Sequence, residues 1–415
     1  MPAITVTIRD VDDARARIAD VAHTTPLWPS VALSEQTGSE VLLKCENLQR
    51  TGSFKVRGAA NMLALQSPLP SGVVAASAGN HAQGVALAAR GHGLPAIVVM
   101  PRGLPLAKQR AVLEYGAEIE LVDGGLWPAQ ERARVIAVER GYLYMPPFDD
   151  PAVIAGQGTV ALEVLEQCPQ VDTVLVPAGG GGLLAGVALA LKARRPAARV
   201  IGVQARAMPG IIASRAEGRP VRAPVAHTIA DGVAVAGPSA LTLALIERFV
   251  DDVIAVSEEE IARAIVFLVE RSRLVTEGAG ALGVAALLAR RVEARGPTVA
   301  VLSGGNIDVT QLGRLMERGL LAAGRLRELT IAAADMPGEL AMATAAAAAA
   351  GANVIGVEHD LVPADLPIGV VRITLRVEVA GAEGFAALVD RMLADGFVRG
   401  TVTELATRTA ATYPE

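Results

Sequence analysis

Short, continuous apolar runs recur along the first three quarters of the chain: AIVVM (96–100), TVLVPA (173–178), VIGVQ (200–204) and TVAVLS (298–303). Gly, Pro or charged residues bound each run. Alternating apolar and polar positions would mark strands with one wet face, whereas continuous runs mark strands buried on both faces. Between them lie Ala/Leu-rich stretches of helical character, such as 183–193 and 258–271, and another helix is expected from Phe54 to Leu65. Strands alternating with helices predict an α/β fold with a parallel-sheet core and helices on both faces. Such sheets bind ligands beyond the carboxyl ends of their strands.

The pattern changes near residue 320. There follow ELTIAAAD (328–335) as a strand, PGELAMATAAAAAAGA (337–352) as a helix and NVIGVEHD (353–360) as a strand. GVVRITLRVEV (369–379) then reads as a strand, EGFAALVDRMLADGF (383–397) as a helix and VRGTVTEL (398–405) as a strand. This order, βαββαβ, predicts a separate small α+β unit. The alanine run 345–350 belongs in a helix interior, given alanine's propensity.

Composition narrows the function classes. With 415 residues the chain has room for two or three domains, and with 52% hydrophobic but 3% aromatic residues its core must be built from Ala, Val, Leu and Ile. The net charge of −5, without any basic block, argues against nucleic acid and against an anionic membrane surface as partners. Thr173–Leu191 is uncharged and long enough to span a bilayer, yet it contains Pro177 and four consecutive glycines, which read as a loop between strand and helix. The opening MPAITVTIRDVDDARARIAD has no apolar signal core, and Cys45 and Cys168 have neither metal-site spacing nor a disulfide framework. A cytoplasmic protein is expected.

Lysine is rare: Lys44, Lys55, Lys108 and Lys192 leave Arg to supply the other 34 of 38 basic residues. Arg serves a salt bridge or phosphate contact as well or better, but Lys alone of the two can shed its proton near neutral pH and attack a carbonyl. Lys55, in ENLQRTGSFKVRGAANML (46–63), is thus either a solvated residue opening a helix or a reactive amine. Three turns bear on the choice. VPAGGGGLLAGVALAL (176–191) joins a strand to a helix through bare glycine backbone, which suits an anion such as phosphate; a tightly packed turn is the alternative. ASAGNHAQGVALAAR (76–90) places Ser77, Asn80 and His81 where amides can meet a carboxylate, or where an N-cap and a surface His would do. LSGGNID (302–308) puts the Ser303 hydroxyl at a strand's end, to bond a ring nitrogen or to cap a helix. An amine, a phosphate cradle and a ring-nitrogen partner are the three handles of pyridoxal phosphate.

At this point the chain resembles a known family. KCENLQRTGSFKVRGA, SAGNHAQG, PAVIAGQGT (151–159), PAGGGGLLAG, TIADGVAV (228–235), EGAGALG (277–283) and LSGGNID match, in order, the serine/threonine dehydratases of the fold-type-II pyridoxal-phosphate enzymes. The match covers roughly residues 10–320. The tail resembles a regulatory ACT domain through ADMPGEL and GANVIGVEHD, and the whole is similar to medium-length threonine ammonia-lyases. The resemblance implies a two-lobed catalytic domain over 1–320, with a smaller mobile lobe at about 46–150, and an ACT-like domain over 326–410. It implies Lys55 as the Schiff-base lysine and general base, Phe54 flanking the ring and Asn80 beside the ring hydroxyl. Gly179, Gly180, Gly181, Gly182 and Leu183 would hold the phosphate, and Ser303 the pyridine nitrogen. The turn Ser77, Ala78, Gly79, Asn80, His81 would take the carboxylate of an amino-acid substrate. Gly338, Glu339 and Asn353 would take a branched-chain amino-acid effector, with a homodimer or homotetramer as the assembly.

The expected reaction is β-elimination from threonine to 2-oxobutanoate and ammonia, with serine also a substrate. A serine-preferring enzyme and a catalytically silent amino-acid sensor are the alternatives. Ala78 stands where racemase members carry a second hydroxyl, which argues against racemisation. Gln204, Ala205 and Arg206, with Gly210, stand where cation-dependent members place acidic residues, so no metal is expected. GGLWPAQERA (124–133) lacks an acidic residue often seen in that family segment, and Leu361 replaces a common Arg in the tail.

Overall fold

Buried Val- and Ala-rich strands build two sheets in the first of two units, Met1–Leu312 and Gly313–Glu415. The computed structural model describes residues 6–104, 106–224, 226–397 and 403–404. The division falls inside the helix Val309–Ala322, ahead of the break that the pattern places near 320.

In unit 1 the strands are β1 (Leu27–Pro29), β2 (Val41–Lys44), β3 (Val73–Ala76), β4 (Ala96–Pro101) and β5 (Glu118–Val122). They continue as β6 (Leu143–Tyr144), β7 (Thr173–Pro177), β8 (Arg199–Ala205), β9 (Asp252–Val256) and β10 (Thr298–Val301). One lobe is the four-stranded sheet β5-β4-β3-β6, parallel throughout. The other is the six-stranded sheet β1-β2-β10-β7-β8-β9, parallel except for the edge strand β1. Every residue of β3, β7 and β10 is buried, which is why these strands read as continuous apolar runs.

Helix starts follow from local chemistry. Asp150 caps the helix Pro151–Gln167, accepting from the amides of Ala152 and Val153, with Pro151 in the first turn. Ser257 forms a reciprocal capping box with Glu260 at the start of Glu258–Phe267.

A buried ionic network fastens the helix that begins at Lys55. Arg57 Nε and Nη2 donate to Glu46 Oε2 and Oε1, both at 2.8 Å, and its Nη1 donates to Glu163 Oε1 at 2.6 Å. Lys44 Nζ donates to Glu163 Oε2 at 2.6 Å and to the Thr25 carbonyl at 2.7 Å. None of these four charged side chains is more than 6% exposed. Burial alone would raise the Glu46 carboxyl, but the charge and hydrogen bonds of Arg57 outweigh it and hold that group below the usual carboxylate range. Two cations face two carboxylates, so the network is neutral and joins β2, the helix Lys55–Ala64 and the helix Pro151–Gln167.

Unit 2 contains β11 (Leu326–Ala334), the helix Glu339–Ala349, β12 (Asn353–Asp360), β13 (Val370–Glu378), the helix Gly381–Ala394 and β14 (Thr403–Glu404). Its sheet is antiparallel in the order β12-β13-β11-β14, and the element order is the expected βαββαβ. Leu329, Ile331, Ile373, Leu375, Phe385 and Leu388 form its core. Of the strand expected over 398–405, Thr403–Glu404 is described; 398–402 and 405, with the rest of the expected domain to 410, lie outside the described residues. No helix among the described residues is long and apolar enough to cross a membrane.

Removing one member of the buried network should be costly, because its partners keep their charge without compensation. Glu163→Ala, which leaves buried Lys44 without a carboxylate and Arg57 with Glu46 alone, is expected to lower the unfolding free energy by about 3–5 kcal/mol in urea denaturation. A loss under about 1 kcal/mol would mean that the network behaves like a surface pair.

Candidate active site

Three turns leave the carboxyl ends of strands and meet at one cavity of about 380 Å³. The turn after β3 carries Ser77–His81, the turn after β7 carries Gly179–Leu183, and the turn after β10 carries Ser303; all these residues line the cavity, as do Phe54 and Lys55. The fold thus gathers from both lobes every residue expected at the catalytic site.

Lys55 reaches the cavity because its helix start is pinned to the loop after β10. Ser53 bridges Gly304, the Phe54 amide donates to the Ser303 carbonyl at 3.2 Å, and the Gly305 amide donates to the Gly52 carbonyl at 2.9 Å. Lys55 Nζ lies 5.2 Å from the Phe54 ring centroid and donates to the Pro147 carbonyl at 2.8 Å. Loss of solvation lowers its pKa to about 8, with the opposing pull of Glu277 the smaller effect.

The glycine turn is pinched between side chains. A Cβ on Gly180 would strike the Phe148 ring, one on Gly182 would lie 2.9 Å from Phe148 Cβ, and one on Gly179 would lie 2.9 Å from Val233 Cα. Gly181 has φ +94°, in the left-handed region. Thr242 Oγ1 donates to the Gly180 carbonyl at 2.9 Å and so fixes the peptide's orientation. Beyond the turn starts the helix Gly182–Arg194, whose first amides lack intrahelical acceptors. Close packing and a row of amides without intrahelical acceptors therefore coexist here.

In the turn after β3, Ser77 Oγ accepts from the Gly79 amide at 3.2 Å. His81 is buried, and its Nε2 donates to the Met145 carbonyl at 2.8 Å. Burial and the nearby Lys55 push its pKa down to about 3, so the ring is neutral. The ring's bond to Met145 makes it part of the wall.

The fold also brings here residues to which sequence reading assigned no role: Glu277, Asn306, Asp231 and Lys108. Asn80 Nδ2 donates to Glu277 Oε1 at 2.7 Å, and Asn80 Oδ1 accepts from Asn306 Nδ2 at 2.8 Å. Glu277 is 5% exposed; burial first, then Asp231, raises its pKa to about 8. Burial thus pushes Lys55 and Glu277 both towards their uncharged forms. Lys108 Nζ meets Asp231 Oδ2 at 2.6 Å, and both residues line the cavity. Glu277 lies in EGAGALG, Asp231 in TIADGVAV and Asn306 in LSGGNID, so the motifs themselves were the available signal.

The expected effector residues are not brought together within one chain. Gly338, with φ +107°, precedes the helix that Glu339 begins, just beyond the Ala334 end of β11. Asn353 pairs with Glu378, which pairs with Leu326 at the opposite end of β11. A strand of that length separates the two positions by roughly 25 Å.

The family model "Pyridoxal-phosphate dependent enzyme" matches residues 18–304. An L-threonine ammonia-lyase of Thermotoga maritima is 45% identical over 396 residues, covering 94% of this chain and 98% of the relative. A catabolic L-threonine dehydratase of Escherichia coli K12 is 43% identical over 315 residues, covering 75% of this chain and 96% of that one. Among solved structures, a T.th. threonine deaminase superposes with TM-score 0.70 at 41% identity, over 73% of this chain and 99% of that one. A maize serine racemase superposes with TM-score 0.72 at 35% identity, over 76% and 98%. Sequence, fold and the gathering of these turns around one lysine agree: the chain belongs to the pyridoxal-phosphate dependent enzymes.

Proposed function

We propose that the chain is a threonine ammonia-lyase that eliminates water from L-threonine, gives 2-oxobutanoate and ammonia, and also accepts L-serine. The observation that carries the reading is Lys55, an amine with lowered pKa on the wall of the shared cavity, in a chain 45% identical over 94% of its length to an L-threonine ammonia-lyase.

The residues present fit pyridoxal phosphate. Gly179–Leu183 offer a cradle in which a Cβ at Gly179, Gly180, Gly181 or Gly182 would collide, Ser303 offers a hydroxyl for the ring nitrogen, and Asn80 offers its amide for the ring hydroxyl. Phe54 would flank the ring, and the Ser77–His81 turn would bind the substrate carboxylate, with Ala78 and Gly79 contributing backbone. When bound, the cofactor supplies an electron sink that acidifies the substrate's Cα–H.

The chain's own groups do the rest. Lys55 Nζ, in its neutral form, takes the Cα proton; the electron pair left on Cα forms the Cα–Cβ double bond as the Cβ–O bond breaks, and the departing hydroxyl takes up the proton held by Lys55 and leaves as water. The released enamine tautomerises to an imine and hydrolyses to 2-oxobutanoate and ammonia. The Lys55–Pro147 hydrogen bond keeps the amine aimed into the cavity. Threonine and serine differ by one methyl group, worth about 1–3 kcal/mol of discrimination, so both are turned over.

The assembly is a homodimer or homotetramer in the cytoplasm, and unit 2 binds a branched-chain amino acid such as isoleucine. Exposed Ile355 and Val357 on the edge strand β12 support pairing of two copies. With Gly338 and Asn353 at opposite ends of one sheet, an effector touching both would lie between two copies.

Lys55→Arg is expected to lose ammonia release from threonine by about 10⁴-fold despite keeping its charge, and Lys55→Ala equally. Substantial turnover by the Arg variant would refute the amine's role. Reconstitution of the apoprotein with pyridoxal phosphate requires the neutral amine, so its rate should climb with a midpoint near pH 8, where Lys55 titrates. A midpoint near the ordinary lysine value of 10.5 would contradict the lowered pKa. Isoleucine should shift the threonine saturation curve of the full chain; calorimetry showing no amino-acid binding outside the catalytic site, with unchanged kinetics, would remove the regulatory reading.

A further inference from the structure

A buried side-chain amide stands directly behind the glycine turn. Gln204, in β8, is 1% exposed. Its Nε2 donates to the carbonyls of Ala178 at 3.3 Å and Met208 at 3.1 Å, and its Oε1 accepts from the amides of Ile211 at 3.1 Å and Ile212 at 3.0 Å. The orientation is forced, since carbonyls only accept and backbone amides only donate. Ala178 immediately precedes Gly179, and its own amide is tied to Val203. The amide nitrogen of Gln204 is therefore what holds the last carbonyl before the turn against the carbonyl of a second loop.

Two carbonyl oxygens converging on one point repel unless something positive lies between them. Here the two N–H bonds of Nε2 fill that need. We propose that Gln204 is a positioning residue for the glycine turn, its NH2 group standing between the Ala178 and Met208 carbonyls as a bound cation would, so that a carboxylate in its place makes the turn cation-dependent. In Gln204→Glu one oxygen keeps the Ile211 and Ile212 amides. The other, when ionised, faces the two carbonyls with no hydrogen to offer, which leaves three oxygens converging on one point. Such an all-oxygen set suits a hard cation such as Ca2+. The inference rests on the proposed placement of the cofactor phosphate at Gly179–Leu183.

The test titrates apoprotein with pyridoxal phosphate, read by the cofactor's absorbance, in EDTA and again in calcium chloride. Wild type should bind equally in both. Gln204→Glu should bind about tenfold more weakly in EDTA, from the loss of two hydrogen bonds, and recover in calcium. Gln204→Met, of similar size, should be weakened in both conditions. A Glu variant that matches wild type in EDTA, or that calcium does not improve, overturns the proposal. So does a Met variant with wild-type affinity, and that measurement alone decides if the Glu variant does not fold. Wild type titrated with pyridoxal, which lacks the phosphate, checks the underlying placement separately: binding as tight as that of pyridoxal phosphate would refute the cradle, independently of Gln204.

Discussion

The short backbone clasp between Gly52–Phe54 and Ser303–Gly305 is the constraint on which the site depends. It joins residues roughly 250 positions apart in the chain through the Ser53–Gly304 bridge and two flanking amide–carbonyl bonds. Lys55 follows the clasp on one side and Ser303 belongs to it on the other, so an amine and a strand-end hydroxyl are set by main-chain geometry. The buried Arg57–Glu46–Glu163–Lys44 network holds the same helix from behind. A reactive lysine must be partly stripped of water to lower its pKa, and a side chain so placed needs a rigid base. The clasp and the network supply it.

The sequence made some of this legible because single segments decide it. A strand buried on both faces must be continuously apolar, and the runs near 96, 173, 200 and 298 became strands of the two sheets. Bare backbone beside an anion needs glycine, and the collisions that a Cβ would cause at Gly180 and Gly182 show why no other residue stands there. The small βαββαβ unit was readable from its alternation of periods.

What was not legible depends on where distant segments meet. Asn80, Glu277 and Asn306 form one hydrogen-bonded chain, though Glu277 and Asn306 look like ordinary turn residues alone. Gln204 read as a missing acid in the sequence, whereas in the fold its amide makes four bonds to backbone that no acid could make unaided. His81 was expected near a carboxylate, but its ring is committed to the Met145 carbonyl. Gly338 and Asn353 looked like neighbours because motif order carries no distance, and the register of β11, β12 and β13 separates them.

The central claim is that one of four lysines, Lys55, carries the cofactor. Borohydride reduction of the holoprotein, followed by mass mapping of its peptides, tests this directly. The account predicts a single pyridoxyl group, on the peptide containing Lys55. A pyridoxyl group on Lys44, Lys108 or Lys192 instead, or none on any lysine, would contradict it.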